Sequence, residues 1–178
     1  MPRPIRRVVT GHDKNGKAVI TMDSAAPNAR LRPNGLVSTL MWVTDKSPTA
    51  ESASDEGNRE TGITPPLNGT IFRILEIPPE STRTADQAHA AGVGGADLDK
   101  GLERDPNARH SGMHHTESID YALILDGEID MLLDDSETHL KTGDVVIMQG
   151  TYHAWANRTN KTCMMAFILV GATVPWKK

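Results

Sequence analysis

Cysteine is nearly missing from this 178-residue chain, where Cys163 stands alone. A single thiol excludes an internal disulfide framework and a thiolate-based zinc site, and it suits a reducing compartment. Blocks of positive charge are missing too. The 19 Lys and Arg are outnumbered by 23 Asp and Glu, giving a net charge of −4. With no run of Lys or Arg to neutralise phosphates, a nucleic-acid partner is not expected. No long apolar run exists: the longest, residues 163–170, is far too short to span a bilayer, so no membrane association is expected. Residues 1–10 are polar and lack the apolar segment of a signal peptide, from which a cytoplasmic location is expected. What remains, 38% hydrophobic and 24% charged residues, is the composition of an ordinary folded domain.

β signals dominate. Residues 5–10 and 18–22 read as strands joined by a turn at Asn15-Gly16, where Gly supplies the positive φ of a tight hairpin. Residues 24–35, rich in Pro, Asn and Gly, read as a loop. Residues 36–44 and 70–77 are strand candidates, and 45–68 between them reads as a long polar surface loop, with disorder favoured over function. Residues 84–104, rich in Ala and interrupted by Gly92, Gly94 and Gly95, are expected to be a short helical insertion, either a lid or a packed connection. From residue 120 onward short strands follow one another, with turns at Asp126-Gly127, 134–136 and 142–144. Many short strands with regular turns predict an all-β sandwich or barrel. The expected organisation is an N-terminal β arm and long loop over 1–69, then a single barrel over 70–178.

The chain is organised around residues 109–157. Four of the seven histidines, His110, His114, His115 and His153, lie in the two short pieces that open and close this stretch. The first piece carries His114, Thr116 and Asp120, followed by Gly127. The second carries Gly143, Gly150, His153 and Asn157, with a Gly-x2-His-x3-Asn spacing. This arrangement resembles the two motifs of the cupin superfamily over about residues 70–170. Thr116 stands where the first motif has its second His, Asp120 where it has Glu, and Gln149 near the usual Pro of the second motif. The resemblance implies a single cupin-type (jelly-roll) β-barrel, commonly a homodimer, acting on a small molecule. It also implies a divalent metal, Fe(II) first and Zn, Ni or Mn as alternatives.

On a strand, residues i and i+2 share a face. If His114 points inward, Thr116 follows and His115 points out. His153, Trp155 and Asn157 share a face. The most economical ligand set is then His114, His153 and Asp120, a two-His-one-carboxylate arrangement with open positions. A bulge would bring His115 in as a further ligand, and Glu117 could replace Asp120. Whichever of Asp120 and Glu117 is not coordinated could act as general base. Thr116, Tyr121, Gln149 and Trp155 are candidate pocket residues. Arg73 and Glu76 have opposite parity on their strand. An outward Arg73 is the expectation, and an inward one would suggest an anionic substrate. Non-haem oxygenase chemistry is the first expectation. Isomerase, decarboxylase or cyclase chemistry, or small-molecule binding without catalysis, are the alternatives.

Overall fold

The structure is a computed structural model that describes residues 3–84 and 107–173. The expected helical insertion over 84–104 lies, apart from Thr84, outside the described residues. Eleven strands are formed in chain order among the described residues: β1 (Arg6–His12), β2 (Ala18–Ala25), β3 (Asn28–Leu31), β4 (Val37–Thr44), β5 (Thr70–Ile77), β6 (Ser118–Asp126), β7 (Glu128–Leu132), β8 (Glu137–Lys141), β9 (Val145–Gln149), β10 (Ala154–Ala156) and β11 (Cys163–Gly171). A single 3-10 turn, η1 (Glu80–Thr82), follows β5. No helix among the described residues is long and apolar enough to cross a membrane.

The strands form a six-stranded sheet in the order β3-β4-β5-β11-β6-β9, a three-stranded sheet in the order β10-β7-β8, and the separate hairpin β1-β2. Every pairing is antiparallel. The fold is therefore all-β, a cupin-like barrel whose two main sheets are not joined edge to edge. Its core lies between them. Ile71 and Leu75 of β5, Met165, Phe167 and Leu169 of β11, and Ile124 of β6 meet Ile129, Met131 and Leu140 of the small sheet. Alternation with period two sorts these side chains to one face, because successive residues of a strand point to opposite sides.

The outer face of the large sheet carries a second apolar cluster, Met41, Ile74 and Ala166, against which Ile5 and Ala26 at the ends of the hairpin pack. Leu40 faces the inner core and the next residue, Met41, the outer cluster. The ladder shifts register between Leu40 and Trp42. A bulge re-aims the side chains that follow it.

Two expectations are corrected. Residues 24–35 are not simply loop. β2 runs to Ala25, and β3 adds an edge strand to β4. As a result β3 and β4, assigned by sequence to the arm of residues 1–69, belong to the main sheet. Apolar residues within 36–44 have to be buried, and pairing β4 with β5 buries them. The polar loop 45–68 is held rather than loose. Arg59 bonds Asp45 and Glu56, Arg7 pairs with Asp55, Asn28 donates to the Arg59 carbonyl at 2.7 Å, and Ile63 enters the core. Composition reports polarity, and it cannot show that the charges find partners.

The Asp126-Gly127 turn is as expected. Gly127 has φ of 86°, and a Cβ there would lie 3.0 Å from the Thr162 carbonyl oxygen. Only Gly accepts both the conformation and the approach without strain.

Candidate functional site

The two motif pieces come together. His114 and His153 exchange both backbone hydrogen bonds at 3.0 Å, forming an isolated antiparallel bridge, and their rings lie 4.6 Å apart between centroids. Each ring is anchored in the same way. Nδ1 of His114 donates to the Gly112 carbonyl at 2.8 Å, and Nδ1 of His153 to that of Thr151 at 2.9 Å. A carbonyl can only accept, so Nδ1 carries the proton and Nε2 is the acceptor nitrogen of the neutral ring. Burial pushes the His153 imidazole below its ordinary range, and the nearby His115 acts in the same direction. His153 is thus held neutral.

His115 is 1% exposed and packs on the Tyr152 ring at 4.6 Å. Tyr152 belongs to the cluster of Met113, Leu132, Ala154 and Ala156, on the strand face opposite Met131 and Trp155. His115 is therefore buried on the side opposite His153 and Trp155, covered there rather than turned to the face they share.

Asp120 lies on the inner face of β6, in line with Ser118, Ala122 and Ile124, all buried. Its Oδ1 is buried with no hydrogen-bond partner. Burial pushes its carboxyl up to about 6, while hydrogen bonding from Ser118 and Thr116 works the other way. The Thr116 and Ser118 hydroxyls are 2.6 Å apart and form the polar floor beside it. Thr116, a candidate pocket residue, is buried beside Asp120. Trp155, the other candidate on this side, lies on the face of His153. It is half-buried, with edge contacts to His153 at 5.7 Å and to Phe167 at 5.6 Å between centroids.

Tyr121 and Gln149 are corrected. Tyr121 is 40% exposed on the outer face of β6, and Gln149 is exposed while its neighbour Met148 turns in. Strand parity puts each on the side opposite Asp120 and Met148. Glu117 is half-buried beside β6, and its carbonyl accepts the Ala172 amide at 3.1 Å. Asn157 shares the buried surroundings of His153 but serves the backbone. Its amide donates to the Ile77 and Lys161 carbonyls, both at 2.8 Å, and its Oδ1 accepts from the Thr159 amide and hydroxyl.

Sequence reasoning missed Glu80. It stands on η1 with Oε1 3.1 Å from Nε2 of His110, whose Nδ1 accepts the Gly112 amide at 3.0 Å. The loop that presents His114 is thereby tied to η1. No spacing in the sequence links residues 80 and 110.

The imidazole pair fits part of a metal centre. Its Nδ1–carbonyl anchors are the supports that orient histidine ligands. The complete donor set does not fit. Among the described residues, no group of three or more His, Cys, Asp or Glu side chains is placed to hold a metal ion. His114, His153 and Asp120 face the same interior without forming the two-His-one-carboxylate cluster that their spacing suggested.

A family model described as "Cupin domain" matches residues 102–170. The phomopsin biosynthesis cluster protein C' of Diaporthe leptostromiformis is 32% identical over 170 residues, which span 89% of this chain and 73% of the relative. The chain belongs to the cupin superfamily. This cupin is also similar to the cupin-domain-containing oxidoreductase fogC of Aspergillus ruber, at 23% identity over 92% of this chain and 71% of the relative. A solved Cupin 2 conserved barrel domain protein from Salinispora arenicola CNS-205 superimposes with a TM-score of 0.44 at 15% identity, covering 82% of each chain. Oxidoreductases among the relatives support an enzyme-like function for this cupin in a coarse sense.

Proposed function

We propose that this cupin is an enzyme of the oxidoreductase kind, acting on a small organic molecule in the interior reached past His114, His153 and Asp120. The observation that carries the reading is the backbone-anchored pair of imidazoles, His153 held neutral by burial, in one interior with a carboxyl pushed up to about 6. Groups of this kind exchange protons near neutral pH: the neutral His153 ring offers Nε2 as an acceptor, and the Asp120 carboxyl changes between its acid and carboxylate forms close to that range. Trp155 and Phe167 supply an apolar wall, which strengthens electrostatic interactions by excluding water. The names of the relatives, biosynthesis cluster proteins and cupin oxidoreductases, agree with a small organic substrate.

The proposal includes a divalent metal, Fe(II) before Zn, Ni or Mn, which His114 and His153 would hold through their Nε2 atoms. The metal would supply Lewis-acid or redox chemistry. No step is assigned to it, because the carboxylate of the ligand set is not gathered with the two imidazoles. That same observation favours the second reading, a cupin that binds a small molecule without catalysis.

Metal content separates the two readings. Purified protein reconstituted with Fe(II), Mn(II), Ni(II) or Zn(II) is expected to hold about one equivalent, lost in His153→Ala. Wild type without stoichiometric metal after reconstitution would overturn the metal-dependent reading. Metal kept in Asp120→Ala but lost in Glu117→Ala would transfer the carboxylate role to Glu117. The proposal includes a homodimer. In its support, β9 is an edge of the large sheet, and Val145 and Ile147 on it are 58% and 61% exposed beside Tyr121. Unpaired apolar edges favour pairing with another copy.

A further inference from the structure

Arg73 faces inward, contrary to the expectation from its sequence. Its inner-face neighbours across the sheet are Leu40 on β4 and Phe167 on β11. The side chain is 4% exposed, and Nη2 donates to the Gly62 carbonyl at 2.7 Å. Nε has no partner, and no carboxylate among the described residues makes an ion pair with it. Burial pulls its guanidinium down to about 10, and the nearby positive Arg32 adds to this.

A buried cation without a counter-charge is strongly unfavourable, and its usual remedy is an anion. The remedy has space here. Arg73 opens onto a cavity of about 340 Å³ at the β3–β4–β5 end of the inner face. Four arginines line it, Arg30, Arg32, Arg59 and Arg73, against the single acidic residue Glu60. Glu60 is taken by Arg30, and Arg59 is satisfied by Asp45 and Glu56. Ser38, buried on β4, adds a hydroxyl to the lining.

We propose that this cavity is a binding site for the carboxylate of a small organic acid, gripped by the Arg73 guanidinium. A planar guanidinium with donors to spare matches the two oxygens of a carboxylate, which an ammonium cannot do. The volume falls in the range of small-ligand pockets. The lining is mostly polar, with Leu40 its one large apolar side chain, so the site suits a small acid with little apolar body. As a substrate anchor the site rests on the function proposed above. As an anion site it does not.

The test uses the full chain, with isothermal titration and thermal melting in succinate, acetate and inorganic phosphate at constant ionic strength, with chloride as the control. Wild type is expected to bind succinate or acetate and to melt higher than in chloride. Arg73→Lys, which keeps the charge but not the fork, should weaken binding at least tenfold, and Arg73→Met should abolish it. Should Arg73→Met fail to fold, Ser38→Asp gives the second reading. A carboxylate built in beside Arg73 should occupy the site, raise the melting temperature and remove the response to succinate. No wild-type response beyond that to chloride would overturn the site. So would unchanged binding in Arg73→Lys. Binding of phosphate without binding of either carboxylate would overturn the assignment to organic acids. Succinate binding in a protein with neither metal nor turnover would refute the enzyme reading and leave this one standing.

Discussion

Asp120 offers the sharpest quantitative test. Its carboxyl is 5% exposed and is pushed from an ordinary value of 3.8 to about 6, chiefly by burial. A raised carboxyl means that the folded state binds the proton more tightly than the unfolded chain. Its favourable contribution is present below the unfolded value and is lost as pH rises through the folded one. At about 1.4 kcal/mol for each factor of ten in proton affinity, the full loss is about 3 kcal/mol, an order-of-magnitude figure. Between about pH 4 and about pH 8 the share that falls away is roughly 2–3 kcal/mol. Asp120→Asn imitates the protonated carboxyl and cannot ionise. In metal-free, chelator-treated protein its unfolding free energy should therefore gain on wild type by that amount across the same interval, since the other titrating groups are common to both. Urea unfolding at a series of pH values measures this, and carbon NMR of the Asp120 carboxyl measures the titration directly. Parallel pH profiles for the two proteins, or a carboxyl that titrates below about 4, would refute the reasoning. Keeping an ionisable group where it lowers stability at neutral pH is what a proton-handling role requires.

Two other substitutions test the architecture. Asn157→Ala removes a donor to the buried Ile77 carbonyl, a donor to the part-buried Lys161 carbonyl and an acceptor for the Thr159 amide and hydroxyl. It should cost on the order of 3 kcal/mol in urea unfolding, and a loss under about 1 kcal/mol would show that the backbone can do without this clamp. Ile147→Lys places a charge on the exposed apolar strip of edge strand β9. It should convert the proposed dimer to monomer by analytical ultracentrifugation, and a wild type already monomeric at tens of micromolar would remove the premise.

The site residues differ in how far their spacing could be trusted. Where regular strands run, parity is reliable. Asp120 faces in on β6 and Tyr121 faces out because side chains alternate with period two. Gln149 was misjudged because its place near a motif position was weighed above the parity of β9, which turns Met148 inward instead. For His115 parity gave the face, opposite to His153, and could not show that Tyr152 and its neighbours bury it there. Arg73 shares the parity of Ile71 and Leu75, so its inward direction was legible on β5. The usual preference of a charged side chain for water outweighed that signal.

The all-β class, the hairpin at Asn15-Gly16 and the turn at Gly127 were legible in the chain alone, and the pairing of the two motif pieces was legible only through the resemblance to cupins. The first three follow from local causes: alternation of apolar residues, β-branched content, and glycines at positive φ. Features that depend on residues far apart in the chain came from the three-dimensional arrangement. It joined β3 and β4 to the main sheet, tied His110 to Glu80, fixed loop 45–68 through Arg59 and Arg7, and left Asp120 apart from the imidazole pair as a metal cluster. It also set Arg73 in a cavity without a counter-charge. Charge partners, burial and the convergence of side chains are properties of three-dimensional neighbours, and spacing along one chain constrains them only where a regular strand carries its periodicity from one to the next.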